Sequence, residues 1–288
     1  MSATVAIITT AGVVADVPRR EDELLAAALG ARGVETTVIS WLRHRLPESV
    51  RLCVVRSAYD WALRREQFFS WLEKTAVPVW NSPRALRWAS DKSYLFDVAA
   101  QGIPVVPTTR LPARRPASIE GLFAEYGCER LVLKPSVGVA ARELIRVARD
   151  EAAAGQAHLD RLLATEDVLA QPYFASIERE GELSVVFIAG RISHALRKIP
   201  KGNDFRAMFA FGCRETRVVL SDAERAIAER VLAALDADAL FGRIDLMRAP
   251  KGDLRVSELE LVSPTLYLDH DPAACDRLAD AICERLPA

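Results

Sequence analysis

Short β-branched runs at residues 5–8, 34–39, 52–55 and 77–79 divide the first part of the chain. Between them, apolar positions recur three and four apart, which predicts helices over residues 21–32, closed by Gly33, and over 64–74. Strands alternating with helices predict a small α/β lobe built on a parallel sheet. Asn81-Ser82-Pro83 places a polar cap before a proline at a helix start, and Asp91 caps a second helix reaching Gly102. After Ile103-Pro104-Val105-Val106-Pro107, the proline-rich, basic stretch 108–116 reads as a connection between lobes. A second series of strands is predicted at 131–134, 144–147, 168–171, 183–188 and 191–197, with a turn at Ala189-Gly190. Helices are expected at 151–164, 222–234 and 273–285.

The alternation is most informative at residues 243–248 and 254–260, joined by 249–253. With Lys251-Gly252 as the central pair of a tight turn, Asp245 falls opposite Glu258 and Arg243 opposite Glu260. Asp245, Glu258 and Glu260 then share one face, while Ile244, Leu246, Leu259 and Leu261 share the other. Two carboxylates directly opposite repel, and a cation relieves the penalty. Oxygen ligands without His or Cys favour Mg²⁺. A solvated face with Arg243–Glu260 as a surface ion pair fits the same spacing, and a one-residue slip in register dissolves the constellation.

Lys134 ends an apolar strand and precedes the small-residue loop Pro135-Ser136-Val137-Gly138-Val139-Ala140-Ala141, a place where backbone and ammonium can approach a phosphate. An ordinary hairpin loop fits it too. Neither GxGxxG nor a Walker A pattern occurs, so a Rossmann dinucleotide site and a P-loop are not supported. Taken singly, Lys92 and Lys198 read as solvent-facing residues.

At 288 residues the chain accommodates one large or two to three small lobes. Half of its residues are hydrophobic and its formal net charge is -1, an ordinary globular balance that offers no patch for nucleic acid or a membrane surface. The five cysteines are scattered without zinc-binding spacing, which points to a reducing, cytoplasmic setting. The apolar run 4–15 has no Lys or Arg before it and is too short to span a bilayer, so its first half reads as a buried strand.

Taken in order, several stretches resemble the ATP-grasp superfamily, and within it the bacterial glutathione synthetases and the ligases that close the D-cycloserine ring. They are Val55-Arg-Ser-Ala-Tyr-Asp60, Asn81 to Lys92, Leu133-Lys-Pro135, Leu169 to Tyr173, Asp204-Phe-Arg206, Arg243-Ile-Asp245 and Glu258 to Thr265. The resemblance implies an α/β ATP-grasp fold with an N-terminal Rossmann-like pre-ATP-grasp domain over 1–83. Linker helices and a central subdomain follow over 84–172, and a C-terminal subdomain over 173–288.

It further implies ATP and Mg²⁺ as cofactors, with Mn²⁺ as a substitute ion. Lys92, Lys134 and Lys198 match positions near the nucleotide; Gln171, Pro172, Tyr173 and Phe174 match the adenine hinge, and Glu182 the ribose. Asp245, Glu258 and Glu260 match metal ligands, Arg206 and Arg243 face the transferred phosphoryl group, and Arg56, Ser263 and Thr265 lie where the family handles the second substrate. Glu260 replaces the usual Asn, and Phe211-Gly212-Cys213 stands where a Gly-Gly pair is common. The implied activity is ligation of a small amino-acid-like carboxylate to an amine through an acyl phosphate, by a homodimer or larger homo-oligomer. Intramolecular ring closure and a non-catalytic nucleotide-binding regulator are the alternatives.

Overall fold

The computed structural model describes residues 4–10, 20–43, 45–202, 204–235 and 238–287; residues 11–15 of the N-terminal apolar run lie outside these. Three sheets organise the described chain. The first is parallel, in the order β2-β1-β3-β4, from β1 (Thr4–Thr9), β2 (Glu35–Ser40), β3 (Val50–Ser57) and β4 (Val79–Trp80). Its central strands β1 and β3 are buried almost throughout, as expected of strands covered on both faces. Helices Arg20–Gly30 and Arg65–Lys74 agree with the apolar periodicity.

The second sheet, β5-β8-β6-β7, is antiparallel and contains β5 (Thr109–Leu111), β6 (Arg130–Pro135), β7 (Ile145–Ala148) and β8 (Val168–Pro172). The stretch 108–116 is therefore not simply a connection: its first residues form an edge strand. An edge position tolerates nearby prolines because one side of the strand needs no ladder partner. Pro104 and Val106 likewise exchange backbone hydrogen bonds with Val256. The helix Ile119–Tyr126, unrecognised in the sequence, covers this sheet together with Ala152–Leu163.

The third sheet is antiparallel, in the order β11-β10-β9-β12-β13. Its strands are β9 (Glu182–Ile188), β10 (Arg191–Ile199), β11 (Arg214–Val218), β12 (Phe241–Arg248) and β13 (Leu254–Glu260). Only β11 lacked a signal in the sequence, because its alternating charged residues are largely exposed. The apolar face of β12 and β13 packs into one core with the helix Asp222–Ala234, and Gly242 permits this: a Cβ there would lie 2.6 Å from Leu261 and 2.7 Å from Phe187.

Asn81 fastens the N-terminal lobe to the third sheet. Its fully buried side chain donates to the Phe241 and Leu261 carbonyls and accepts from the Leu240 and Phe241 N–H groups. All four bonding positions of the amide are filled. His194 makes a similar link from β10, with Nε2 2.8 Å from the Leu266 carbonyl.

Burial holds the His194 imidazole pKa below its ordinary value, against the pull of Asp271 and the Leu266 carbonyl. The unfolded chain then binds the proton more readily, so stability is complete above the unfolded value of about 6.5 and falls as pH drops through it. Denaturant midpoints at pH 7.5 and 5.5 are expected to show this loss, and His194→Gln to reduce it.

Candidate active site

A cleft of about 1220 Å³ runs between the sheets, and every site residue singled out in the sequence lines it except Arg56. At its centre stands the β12–β13 hairpin. Asp245 pairs with Glu258 and Arg243 with Glu260, as the sequence predicts, but the turn differs. Ala249 and Asp253 close a three-residue loop in which Gly252 takes φ +90°, and Ser257 is an extra residue bulged out of β13. A three-residue loop with glycine in the left-handed region is a common hairpin closure. Its one-residue offset is cancelled by the bulge, and the carboxylates end opposite each other.

Each acid is neutralised differently. Asp245 is buried and receives Arg243 Nε and Nη2 at 2.8 Å each, Ser184 Oγ at 2.5 Å, and Lys198 Nζ at 3.8 Å. Burial alone would raise its pKa, but Arg243 and Lys198 hold it at about 2. Glu258 lies 3.2 Å from Lys92 Nζ and 3.9 Å from Lys134 Nζ, and these two cations overcome its burial and lower its pKa. Glu260 has Arg243 Nη2 at 2.6 Å. There burial wins over Arg243, with help from the charges of Glu258 and Asp245, and the carboxyl pKa moves upward. The expected Arg243–Glu260 pair exists, although Arg243 is buried instead of lying at the surface.

The lysines are equally committed. Lys92 also donates to the Gly138 carbonyl at 2.7 Å, which draws the small-residue loop over the cleft. Lys134 is kept below its ordinary pKa by burial and by Lys92, against the pull of Glu258. Lys198 is a buried cross-strand neighbour of Glu182, 2.5 Å from its carboxylate, and not the solvent-facing residue its local sequence suggests. Asp245 and Glu182 raise the Lys198 pKa despite its burial.

Gln171 to Phe174 continue β8 along one wall. Gln171 donates to Thr108 Oγ1, and Arg146 stacks 5.1 Å from the Tyr173 ring centroid. Arg206 lines the cleft but grips Asp204 with two bonds of 2.9 and 2.8 Å and sits 3.4 Å over the Phe211 ring.

Of the second-substrate trio, Ser263 and Thr265 line the cleft and Arg56 does not. Arg56 is 1% exposed and donates to Glu21 at 2.8 Å and to the Pro264 carbonyl at 3.1 Å. Ser263 accepts from the Ala58 N–H, and the Thr265 carbonyl accepts from Arg243 at 3.2 Å. Arg56 and Ser263 thus hold the loop after β13. Glu21, which the sequence did not single out, accepts from Arg56, Leu266 N and Leu268 N, so one carboxylate clamps that loop to the first lobe. Arg56→Met is expected to cost about 2 kcal/mol in urea unfolding, because Glu21 keeps its two backbone donors while losing its charge partner.

The donors that Asp245, Glu258 and Glu260 offer to the cleft are all carboxylate oxygens, a set suited to a hard divalent cation. Among the described residues no group of three acids is already gathered as a metal site. Glu258 and Glu260 nevertheless remain accessible, at 27% and 31% side-chain exposure, so an arriving cation can take over from the lysines and arginine.

Three sheets enclosing a cleft in which lysines and a carboxylate hairpin converge define an ATP-grasp ligase. The family model of the prokaryotic glutathione synthetase ATP-grasp domain matches residues 98–269, and that of the D-cycloserine synthetase DcsG N-terminal domain matches residues 5–81. The chain belongs to the ATP-grasp ligases and is an ATP-dependent carbon–nitrogen ligase.

It is 36% identical to the cycloserine biosynthesis protein DcsG of Streptomyces lavendulae, over 88% of this chain and 87% of that protein. Glutathione synthetase of Pseudomonas putida is 28% identical, over 75% of this chain and 66% of that enzyme. The crystal structure of D-cycloserine synthetase DcsG superposes with a TM-score of 0.89 at 30% identity, covering 99% of this chain and 100% of the other.

Proposed function

We propose that the protein activates the carboxylate of a small amino-acid-like substrate as an acyl phosphate and passes the acyl group to an amine. The observation that carries this reading is the acidic hairpin facing Lys92 and Lys134 across one cleft. ATP-grasp ligases use ATP and Mg²⁺. Asp245, Glu258 and Glu260 would hold Mg²⁺, which when bound supplies positive charge to the phosphate oxygens.

A substrate carboxylate oxygen attacks the γ-phosphorus, and ADP departs. Lys92, Lys134 and Arg243 offset charge during this transfer, in which electrostatic stabilisation and positioning dominate. Arg206 can join them once released from Asp204. The amine then attacks the carbonyl carbon, phosphate leaves with the C–O electron pair, and the amine proton passes to solvent. The loop drawn over the cleft by Lys92 excludes water, which would otherwise hydrolyse the acyl phosphate. Gln171 to Phe174 border the adenine, and Glu182 with Lys198 the ribose and phosphates.

Ring closure within one molecule is a second reading of the same site. It is favoured by the resemblance to DcsG, which includes the N-terminal domain at residues 5–81. The test is incubation with Mg·ATP, a panel of amino acids and hydroxylamine as the amine, with nucleotides and hydroxamate measured. ADP, phosphate and hydroxamate are expected; AMP and pyrophosphate would rule out acyl phosphate chemistry.

A further inference from the structure

Beyond the phosphate-facing acids, the cleft has a second polar wall formed by Glu215 on β11 and by Tyr267, Asp269 and His270 after β13. Tyr267 has φ +53°, a left-handed conformation that bulky residues rarely adopt. Holding it there costs energy that the surrounding contacts must offset. The residue is 6% exposed, and the Arg243 guanidinium carbon lies 5.7 Å from its ring centroid. The Tyr267 hydroxyl makes no hydrogen bond with any described residue and is not a fully buried atom, and the residue lines the cleft.

The wall continues through His270, whose ring is 6.2 Å from that of Tyr267 and whose Nε2 is 3.6 Å from a Glu215 carboxylate oxygen. Glu215 is 13% exposed at its side chain and has no Lys or Arg within 4.0 Å among the described residues; the Cys213 thiol approaches its other oxygen at 3.7 Å. Burial raises its carboxyl pKa, against the pull of His270 and Lys198. Asp269, exposed at the same wall, adds negative potential.

We propose that Tyr267 and Glu215 form the subsite for the ammonium group of an amino-acid substrate whose carboxylate is activated beside Arg243. The inference rests on the ligase reading above and assigns specificity within it. An α-amino acid carries its ammonium and carboxylate two bonds apart, so the group that recognises the first must lie next to the group that handles the second. The Tyr267 ring lies beside Arg243, whose guanidinium carbon is 5.7 Å from the ring centroid. An ammonium has three donors: the Tyr267 hydroxyl oxygen accepts one, and Glu215 supplies the charge and a second acceptor.

The experiment uses the wild type, Tyr267→Phe and Glu215→Gln with Mg·ATP and hydroxylamine. The carboxylates are both enantiomers of alanine and serine, alongside propanoate and 3-hydroxypropanoate. ADP release is expected from amino acids only. Tyr267→Phe should raise the amino-acid KM about fivefold, the worth of one hydrogen bond of about 1 kcal/mol, and Glu215→Gln at least about tenfold, as for a charged one. The KM for ATP should stay within about twofold, and unchanged thermal midpoints confirm that both variants fold.

Equal use of the des-amino acids, or an unchanged amino-acid KM in both variants, overturns the subsite. So does absence of ADP release from every amino acid while Mg·AMP-PNP still binds in calorimetry. Loss of nucleotide binding in the wild type would remove the ligase reading as well.

Discussion

Glu258→Gln is expected to lower substrate-dependent ADP formation roughly 10²–10³-fold, the usual consequence of losing one charge-stabilising group in the reaction. Glu258 is the acid on which both Lys92, at 3.2 Å, and Lys134, at 3.9 Å, converge. The variant keeps the shape of the side chain and removes its charge. Two consequences follow from different physics. With nucleotide absent, Lys92 and Lys134 lose their shared counter-charge, and the Lys134 pKa, already lowered by burial and by Lys92, moves further down. With Mg·ATP present, the proposed metal loses a ligand and its affinity falls. Mn²⁺ titration followed by electron paramagnetic resonance separates this metal effect from turnover, and near-wild-type Mn²⁺ affinity together with near-wild-type turnover would refute the assignment of Glu258.

The opposition of Asp245 and Glu258 was legible in the sequence because alternation with period two leaves few registers that bury Ile244, Leu246, Leu259 and Leu261 together. The local route to it was not. Turn type depends on the backbone conformation at Gly252, and the compensating bulge at Ser257 is set by the partner strands. Burial of the opposite face restores the register whichever turn is used, so the pairing is more predictable than the loop.

Long-range partners were the part that sequence could not supply. Arg56 lies in a motif that resembles one for substrate handling, and its guanidinium is held by Glu21 and by Pro264, which is 208 positions away. Ser263 is likewise fixed by the Ala58 N–H. Ser184, opposite Asp245 on β9, donates to that carboxylate; only knowledge that β9 pairs with β12 identifies it. Lys198 shows the same dependence. It looks solvent-facing beside Arg197, but the strand pairing with Glu182 turns it inward.

Arg243→Met is expected to destabilise the protein without added divalent cation by about 3–5 kcal/mol, the range found when one partner of a buried ion pair is removed. Arg243 and Asp245 have side-chain exposures of 7% and 3%, and the same guanidinium also reaches Glu260 at 2.6 Å and the Thr265 carbonyl at 3.2 Å. Its removal leaves Asp245 with Lys198 and Ser184, leaves Glu260 without its closest cation, and frees the loop that carries Tyr267. Because the acids lie on one face of one hairpin, a divalent cation bound there replaces much of the missing charge. Millimolar Mg²⁺ should therefore recover part of the urea midpoint in Arg243→Met and shift the wild type less, since in the wild type the cation competes with Arg243 for the same carboxylates. ADP formation should remain low in both conditions, because the metal restores charge to the hairpin but not the guanidinium that the proposed mechanism uses to offset charge during phosphoryl transfer. A midpoint in the variant that does not respond to Mg²⁺ would show that the carboxylates cannot gather around a cation, and the acidic hairpin would then be a partner for arginine and lysine alone.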